Sequence, residues 1–220
     1  MIWAFIQARV QSTRFPGKIQ YPIQGVPMLG QVLSRVRRIP EVSQVAVLTT
    51  TERADDWVQD YCQQTGETPC VRGPRGDVLG RFALAMDALG LQSTDLIVRF
   101  TADCPVLDPA VSRRVVQAML ERSVDYVANI RDWPDGLDTE VFTMTALLRA
   151  AGNAWTVEDR EHVTPWIRRH LSCVEYPLTP PQRHLKWSVD TESELAYVRE
   201  LYRKLGPTFI WQDILALDLH

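Results

Sequence analysis

Apolar runs alternate with segments of helical periodicity along roughly the first 130 residues. The stretches IWAFIQ (2–7), QVAVLTT (44–50) and DLIVRF (95–100) have the β-branched and aromatic content of buried strands. Between the first two, apolar residues recur at helical spacing on one face: Leu29, Val32, Leu33, Val36 and Ile39. Strands separated by helices predict a largely parallel sheet covered by helices on both faces.

The alternation of strand-like and helical patterns continues along the rest of the chain. It predicts a strand near 70–72, a helix that Asp108 caps and Pro109 begins, and a strand at DYVANI (125–130). Beyond them we expect a helix interrupted near Pro165, a strand at LKWSVD (185–190), and a helix whose capping box is formed by Thr191 and Glu194.

The pattern loosens at 131–145, where a Pro-Asp-Gly turn precedes the strand-like TEVFT. This segment predicts a hairpin excursion, serving dimerisation or a sugar site, instead of another strand-helix-strand repeat. With no repeat or linker in view, residues 1–220 are interpreted as one domain.

Composition narrows the classes of partner and compartment. A net charge of −3 provides no global basic field, so we expect no nucleic-acid partner. The widely spaced Cys62, Cys70, Cys104 and Cys173 indicate buried thiols and a cytoplasmic location. The apolar start is interrupted by Gln7 and Arg9 and no later run is long enough to span a bilayer, so a soluble protein without a membrane partner is expected.

The loop after the first predicted strand carries a dense positive charge. Arg9, Arg14 and Lys18 flank the hydroxyls of Ser12 and Thr13, a combination that suits a polyphosphate. The loop matches neither the Walker pattern nor GxGxxG. Lysine is rare in the chain, with three against 21 arginines, so a compact charge at position 18 favours a phosphate contact. A solvated basic loop is the plain alternative.

Acidic side chains follow other predicted strands. Asp103 and Asp190 could hold a divalent cation, although both also suit turn formation. Asp77 is a helix N-cap with Arg81 four residues later, which a surface ion pair would explain. Polar groups for a hydroxyl-rich substrate come from Asp138, Glu140 and His162. Zinc is disfavoured because His170 and Cys173 lack a second pair at ligand spacing.

Several ordered motifs together resemble a known family. They are IQARVQSTRFPGK, RGDVLGRF, VRFTADCPVLDP, DYVANI, PDGLDTEVF, REHVTPWIRR and SVDT. The order is similar to that in the cytidylyltransferases of the spore-coat polysaccharide biosynthesis type, relatives of CMP-ketodeoxyoctonate synthetase and acylneuraminate cytidylyltransferase. The resemblance covers nearly the whole chain. One departure is Ala102, where relatives commonly carry glycine.

The resemblance implies a three-layer, Rossmann-like nucleotide-diphospho-sugar transferase fold and a homodimer. It also implies Mg²⁺-dependent transfer of CMP from CTP to a sugar acid or related sugar, with release of pyrophosphate, in surface polysaccharide biosynthesis. The implied nucleotide-binding residues are Arg9, Ser12, Thr13, Arg14, Lys18, Asp77, Arg81 and Asp103, of which Arg9, Lys18 and Asp103 are catalytic. Asp103 and Asp190 would hold magnesium, and Asp138, Glu140 and His162 would face the sugar.

Two alternatives stay open at this point. The fold and its metal carboxylates also serve glycosyltransferases and enzymes of other nucleotides. A non-catalytic nucleotide-binding or assembly module is the second alternative. Asp103 and a carboxylate near the sugar, such as Glu140, are both candidates for the general base.

Overall fold

The computed structural model describes residues 1–66 and 68–218. Their strands are β1 (Ile2–Gln7), β2 (Pro22–Ile23), β3 (Val26–Pro27), β4 (Gln44–Thr50), β5 (Cys70–Gly73), β6 (Leu96–Thr101), β7 (Tyr126–Ala128), β8 (Glu140–Thr143) and β9 (Cys173–Glu175). Their helices are α1 (Met28–Val36), α2 (Asp56–Gln64), α3 (Val78–Leu89), α4 (Pro109–Leu120), α5 (Met144–Asn153), α6 (Val157–His162), α7 (Pro165–His170), α8 (Glu192–Leu205) and α9 (Trp211–Asp218).

A seven-stranded sheet with the order β5-β4-β1-β6-β8-β7-β9 forms the centre of the molecule. Strand β8 runs antiparallel to both of its neighbours, and the other pairings are parallel. The prediction of a mostly parallel α/β sheet is therefore confirmed. Strands β2 and β3 form a small separate antiparallel pair.

The residues around 131–145 only partly form an excursion. Residues 131–139 leave the sheet, but Glu140–Thr143 return to it as β8, between β6 and β7. Val141 and Phe142 are both fully buried, which places apolar side chains on both faces of this strand. Because β8 pairs antiparallel with the preceding strand β7, the predicted hairpin is present. Four residues are too few for a period-two pattern to show that the second strand of this hairpin is central in the sheet.

Helices cover both faces of the sheet, and β1 shows why the opening run is continuously apolar. Ala4 and Ile6 pack into the cluster beneath α1, α2 and α4. Trp3 and Phe5 pack on the opposite face, in the cluster beneath α3, α5 and α7. A strand buried on both faces reads as an uninterrupted hydrophobic run instead of an alternating one.

The segment 185–190 is not the strand that the sequence predicted. Its ladder contact is one isolated bridge between Asp135 and Lys186, and the backbone bends at Ser188. The backbones pass so closely that a Cβ on Gly136, whose φ is 107°, would lie 2.8 Å from the amide nitrogen of Ser188. Only glycine allows this approach at that φ, so the two segments can pack this closely because residue 136 has no side chain.

The helix boundaries agree well with the sequence. Asp108 caps α4 ahead of Pro109, and Pro165 begins α7 after the break from α6. The capping box differs in one detail. Thr191 accepts from the amide of Glu194, but the Glu194 carboxylate accepts from the amide of Asp190, at 2.6 Å, one residue before the expected position.

The cysteines are only partly as expected. All four are free, and Cys62 and Cys104 are buried, but Cys70 is half-buried and Cys173 is exposed. Within the described part of the chain, no helix combines the length and apolar character needed to cross a membrane.

Candidate active site

The loop after β1, residues 8–17, is held in place by the protein. The amide of Val10 donates to the buried carboxylate of Asp55 at 2.7 Å, and the amide of Gly17 donates back to the carbonyl of Val10 at 2.8 Å. Phe15 is buried and stacks on Tyr21, with 5.1 Å between ring centroids. The cationic side chains of this loop are therefore carried by a fixed backbone.

Lys18 lies at the end of the loop and is itself buried. Its ammonium group donates to Asp103 at 2.6 Å, to Asp190 at 2.9 Å and to the carbonyl of Val189 at 2.8 Å. Burial alone would lower the pKa of Lys18, but the two carboxylates outweigh that effect and raise it. All three donors of the ammonium are used within the protein, so the lysine ties the carboxylates together.

The two carboxylates are brought together by backbone contact. Asp103 follows the carboxyl end of β6, and its carbonyl accepts from the amide of Val189 at 2.8 Å. The Asp190 carboxylate also forms ion pairs with Arg14 at 3.0 Å and with Lys186 at 3.1 Å. Burial would raise the pKa of Asp190, but the hydrogen bonds from Lys18 and Lys186 lower it overall. Asp190 is therefore a carboxylate surrounded by cations.

A cavity of about 230 Å³, the first cavity, opens beside these groups. Most of the residues expected to bind nucleotide lie along it. They are Arg9, Ser12, Thr13, Arg14, Lys18, Arg81 and Asp103, together with Asp190 and His162. Segments far apart in the sequence therefore converge on one cleft at the carboxyl ends of β1 and β6, where α/β sheets bind ligands.

Arg81 is a buried guanidinium on the wall of the first cavity. Its Nε has no hydrogen-bond partner among the described residues, and its Nη1 makes one long contact, 3.4 Å, to the carbonyl of Leu48. Burial and then the nearby Arg9 lower its pKa. Neither arginine is ion-paired within the described ranges. Asp55 and Asp77 oppose the lowering of the Arg81 pKa only in part, and a buried charge without a direct ion pair is unfavourable, so this wall favours an anion.

Asp77 does not form the surface ion pair with Arg81 that was the alternative to a nucleotide contact, and its nucleotide contact stays a prediction. It caps α3 by accepting from the amide of Gly80 at 2.8 Å, and its other oxygen pairs with Arg160 on α6. The cap holds the carboxylate over the first turn of the helix, whereas Arg81 is buried against Gly73 and the strand ends. Asp77 thus stabilises the start of α3, the helix that carries Arg81, without lining the first cavity itself.

A second cavity, about 420 Å³, adjoins the first. Six residues line both cavities and form the wall that they share: Gln7, Arg14, Thr101, Asp103, His162 and Asp190. The residues expected to face the sugar, Asp138, Glu140 and His162, all line this second cavity. The shared wall places the carboxylates where occupants of the two cavities would meet.

Glu140 and Asp138 have opposite electrostatic environments. Glu140 is buried and accepts hydrogen bonds from Arg99, Tyr126 and Thr164. Burial would raise its pKa, but Arg99 and these bonds lower it, which makes Glu140 a poor proton acceptor. Asp138 binds Arg183 at 2.7 Å through one oxygen, and burial raises its pKa to about 7, with Arg183 opposing the effect and Asp135 adding to it.

Sequence reasoning missed several residues that line the cavities. Gln7, Arg99 and Thr101 stand at or near the carboxyl ends of buried strands, and a polar residue inside an apolar run was the available signal. The loop and helix residues Asp135, Glu161, Arg168 and Arg183 gave no such signal, because their position depends on how distant loops fold together.

The carboxylates fit a hard divalent cation only in part. Mg²⁺ takes oxygen ligands and is commonly held by one or two carboxylates together with substrate phosphates. Among the described residues, no cluster of three His, Cys, Asp or Glu side chains suits a metal, which also gives no support to zinc. Asp103 and Asp190 supply two such carboxylates, and the remaining ligands would have to come from the nucleotide and water.

Comparison with known proteins assigns the family. A family model described as cytidylyltransferase matches residues 3–205. The chain belongs to the cytidylyltransferase family. The spore coat polysaccharide biosynthesis protein SpsF of Bacillus subtilis is 30% identical to this cytidylyltransferase, over 91% of the chain and 86% of SpsF. The 3-deoxy-manno-octulosonate cytidylyltransferase of Geobacter metallireducens is 36% identical over 50% of the chain and 41% of that protein.

The fold of this cytidylyltransferase also has a close solved counterpart. A cytidylyltransferase from Leptospira borgpetersenii superposes with a TM-score of 0.91 at 27% identity, covering 98% of this chain and 92% of that one. The family predicted from the ordered motifs is thereby confirmed. The roles of individual site residues stay predictions.

Proposed function

We propose that this cytidylyltransferase transfers CMP from CTP to a sugar acid, with Mg²⁺ as cofactor and pyrophosphate as the leaving group. The observation that carries the proposal is the wall formed by Arg9 and Arg81, two neighbouring guanidiniums of which neither forms an ion pair within the described chain. They face the first cavity, which meets the second beside Asp103. A triphosphate supplies the missing negative charge, and the adjoining cavity supplies room for an acceptor.

The two substrates occupy the two cavities. The triphosphate lies in the first cavity against Arg9, Arg14 and Arg81, with the hydroxyls of Ser12 and Thr13 as further donors. The sugar acid lies in the second cavity, where Arg168 has no ion-pair partner among the described residues and is available to a carboxylate. Similarity to the 3-deoxy-manno-octulosonate cytidylyltransferase supports a sugar acid as the acceptor.

Asp138 is the proton acceptor of the proposed mechanism. The sugar hydroxyl gives its proton to the Asp138 carboxylate while the hydroxyl oxygen forms a bond to the α-phosphorus. The bond from that phosphorus to the bridging oxygen breaks, and pyrophosphate leaves with the electron pair. The raised pKa of Asp138 supports this role, because a base works best when its pKa is near the working pH.

Negative charge grows on the phosphates during this displacement. Arginine side chains fixed by the loop backbone stabilise it without having to reorganise. Asp103 and Asp190 would hold the magnesium, which when bound neutralises phosphate charge. Lys18 keeps the two carboxylates adjacent and offsets their mutual repulsion.

The nucleotide is tested by pyrophosphate release and thermal shift. We expect CTP with Mg²⁺ to stabilise the chain by about 2.7 kcal/mol at 100 times its dissociation constant, and UTP, GTP and ATP to do less. A panel of sugar acids then identifies the acceptor through CTP-dependent pyrophosphate release. Greater stabilisation by another nucleotide at the same concentration would contradict the assignment of CTP, and binding of CTP without turnover on any sugar would favour a binding module.

Asp138→Asn tests the proton acceptor. We expect turnover to fall by about 10²-fold or more, because an amide cannot accept the proton. In the unchanged protein, turnover should rise as pH increases through about 7, where Asp138 ionises, and this rise should disappear in the variant. The measurement is kcat against pH.

Asp135→Asn is the matched control, since Asp135 lines the same cavity and its charge raises the pKa of Asp138. Removing that charge lowers the pKa of Asp138, so the rise in turnover should move to lower pH without being lost. An unchanged pH profile in Asp138→Asn would assign the proton to another group.

The proposal extends to a homodimer. Trp155 and Val157, in and next to the turn between α5 and α6, are 87% and 77% exposed. Large apolar side chains this exposed and this close together are typical of contact surfaces. We expect the chain to sediment as a dimer and Trp155→Glu to shift it toward the monomer; sedimentation of the unchanged chain as a monomer would contradict this.

We infer that the reaction takes place in the cytoplasm, in a pathway that builds surface polysaccharide. The free thiols support a reducing compartment. The named role of SpsF supports the pathway.

A further inference from the structure

Val163 has a backbone conformation that β-branched residues rarely adopt. Its φ is 72° and its ψ is −54°, and across it the amide of Thr164 donates to the carbonyl of His162 at 2.8 Å. These values describe the less common form of the three-residue γ-turn, which is strained. A glycine would relieve that strain, since it lacks the Cβ that disfavours positive φ.

The strained turn is held from both sides. The Val163 side chain is fully buried, in the cluster that also contains Leu147 and Ile167. On the far side, Thr164 is buried and its hydroxyl donates to Glu140, which in turn binds Arg99. Strain of this kind persists where the surroundings determine the conformation, and it is concentrated at functional sites.

The turn lies where the walls of the two cavities separate. Glu161, just before it, lines the first cavity. Thr164 and Arg168, after it, line the second. His162, directly before Val163, lines both, and no described residue hydrogen-bonds its ring. An unstrained continuation of α6 would send these side chains in other directions.

Resting on the proposed function, we propose that Val163 is a positioning residue for CMP transfer. Its strained turn holds the His162 imidazole at the junction of the cavities, where it hydrogen-bonds the reacting phosphate and hydroxyl groups. The same turn positions the Thr164 hydroxyl to donate to Glu140, which also binds Arg99. One reversal of the backbone therefore determines the positions of both His162 and the Glu140–Arg99 pair. Val163 itself touches neither substrate.

The test compares Val163→Gly with Leu147→Ala. Both truncate a fully buried side chain in the same cluster, but only the first frees the turn, because glycine loses the buried anchor and can leave the positive-φ conformation as easily as adopt it. We expect kcat in Val163→Gly to fall by about 10-fold or more while KM for CTP changes less than about twofold, because misplacement affects the transition state more than nucleotide binding. Leu147→Ala should lower Tm and leave kcat within about twofold of the unchanged value.

A second readout follows the imidazole directly. In the ¹H–¹³C spectrum, the His162 ring signals, assigned by their loss in His162→Gln, should shift on addition of CTP with Mg²⁺ in the unchanged chain and in Leu147→Ala. In Val163→Gly the shift should be reduced or absent although CTP still binds by thermal shift.

The inference would be overturned by a normal kcat in Val163→Gly, or by His162 ring signals that do not shift when CTP binds to the unchanged chain. Either result would leave the proposed function standing. Failure of the unchanged chain to bind CTP or turn over any sugar acid would instead overturn both.

Discussion

Lys18→Ala should leave a protein that is nearly inactive and measurably less stable. The substitution removes an ammonium that binds Asp103, Asp190 and the carbonyl of Val189, and leaves two neighbouring carboxylates to repel each other. Breaking a buried ion pair by removing one partner costs about 3–5 kcal/mol, and because Arg14 and Lys186 still reach Asp190 we expect about 3 kcal/mol. Urea unfolding with the variant Lys18→Met, which keeps the methylene stem, separates the lost charge from the lost packing.

Turnover in both variants should fall by at least about 10²-fold, since the carboxylates lose the geometry that Lys18 imposes. The matched control is Lys186→Ala. Lys186 also binds Asp190, at 3.1 Å, but its side chain is 38% exposed, against 8% for Lys18. We expect that change to cost less than about 1 kcal/mol, as exposed ion pairs usually do. Equal losses in the two lysine variants would show that Lys18 is an ordinary surface partner of Asp190.

Asp103→Asn should abolish magnesium-dependent turnover while the protein stays folded. Asparagine keeps the shape of the side chain but loses the charge that would attract a divalent cation. We expect a loss of about 10³-fold, similar to the removal of a main electrostatic contact in a phosphoryl-type displacement. Turnover measured against Mg²⁺ concentration tests this, with circular dichroism as the check on folding. A variant whose turnover still saturates with Mg²⁺ as before would place the metal elsewhere.

Asp87→Asn is the comparison for that experiment. Asp87 is an exposed residue on α3 that lines neither cavity, so the same loss of charge there should leave turnover within about twofold.

The sequence was informative wherever local chemistry determines structure. The two-sided burial of β1, the cap at Asp108 and the break at Pro165 all follow from residue pattern and proline geometry. The cationic loop was placed correctly, because a loop at the carboxyl end of a parallel strand must open at the ligand-binding edge of the sheet.

The errors share a physical cause, which is dependence on distant segments. Nothing local to TEVFT indicates that β8 inserts between β6 and β7, and nothing near Asp77 indicates that its partner is Arg160 on α6. Residues 185–190, predicted as a strand, form only an isolated bridge, and their backbone packs closely against Gly136, nearly 50 residues earlier in the chain. The expected contact of Lys18 with phosphate stays a prediction, but its three protein acceptors lie between 85 and 172 residues away in the chain, so no local pattern indicated them.

The shared wall of the two cavities limits how this protein can acquire a new acceptor. A substitution at Gln7, Thr101 or His162 alters both cavities at once, so any gain in sugar preference there is coupled to a change in nucleotide handling. Ile130, Arg168 and Arg183 line the second cavity alone. Divergence of acceptor choice among relatives, and directed evolution in the laboratory, should therefore concentrate at these outer positions while the inner ones change little.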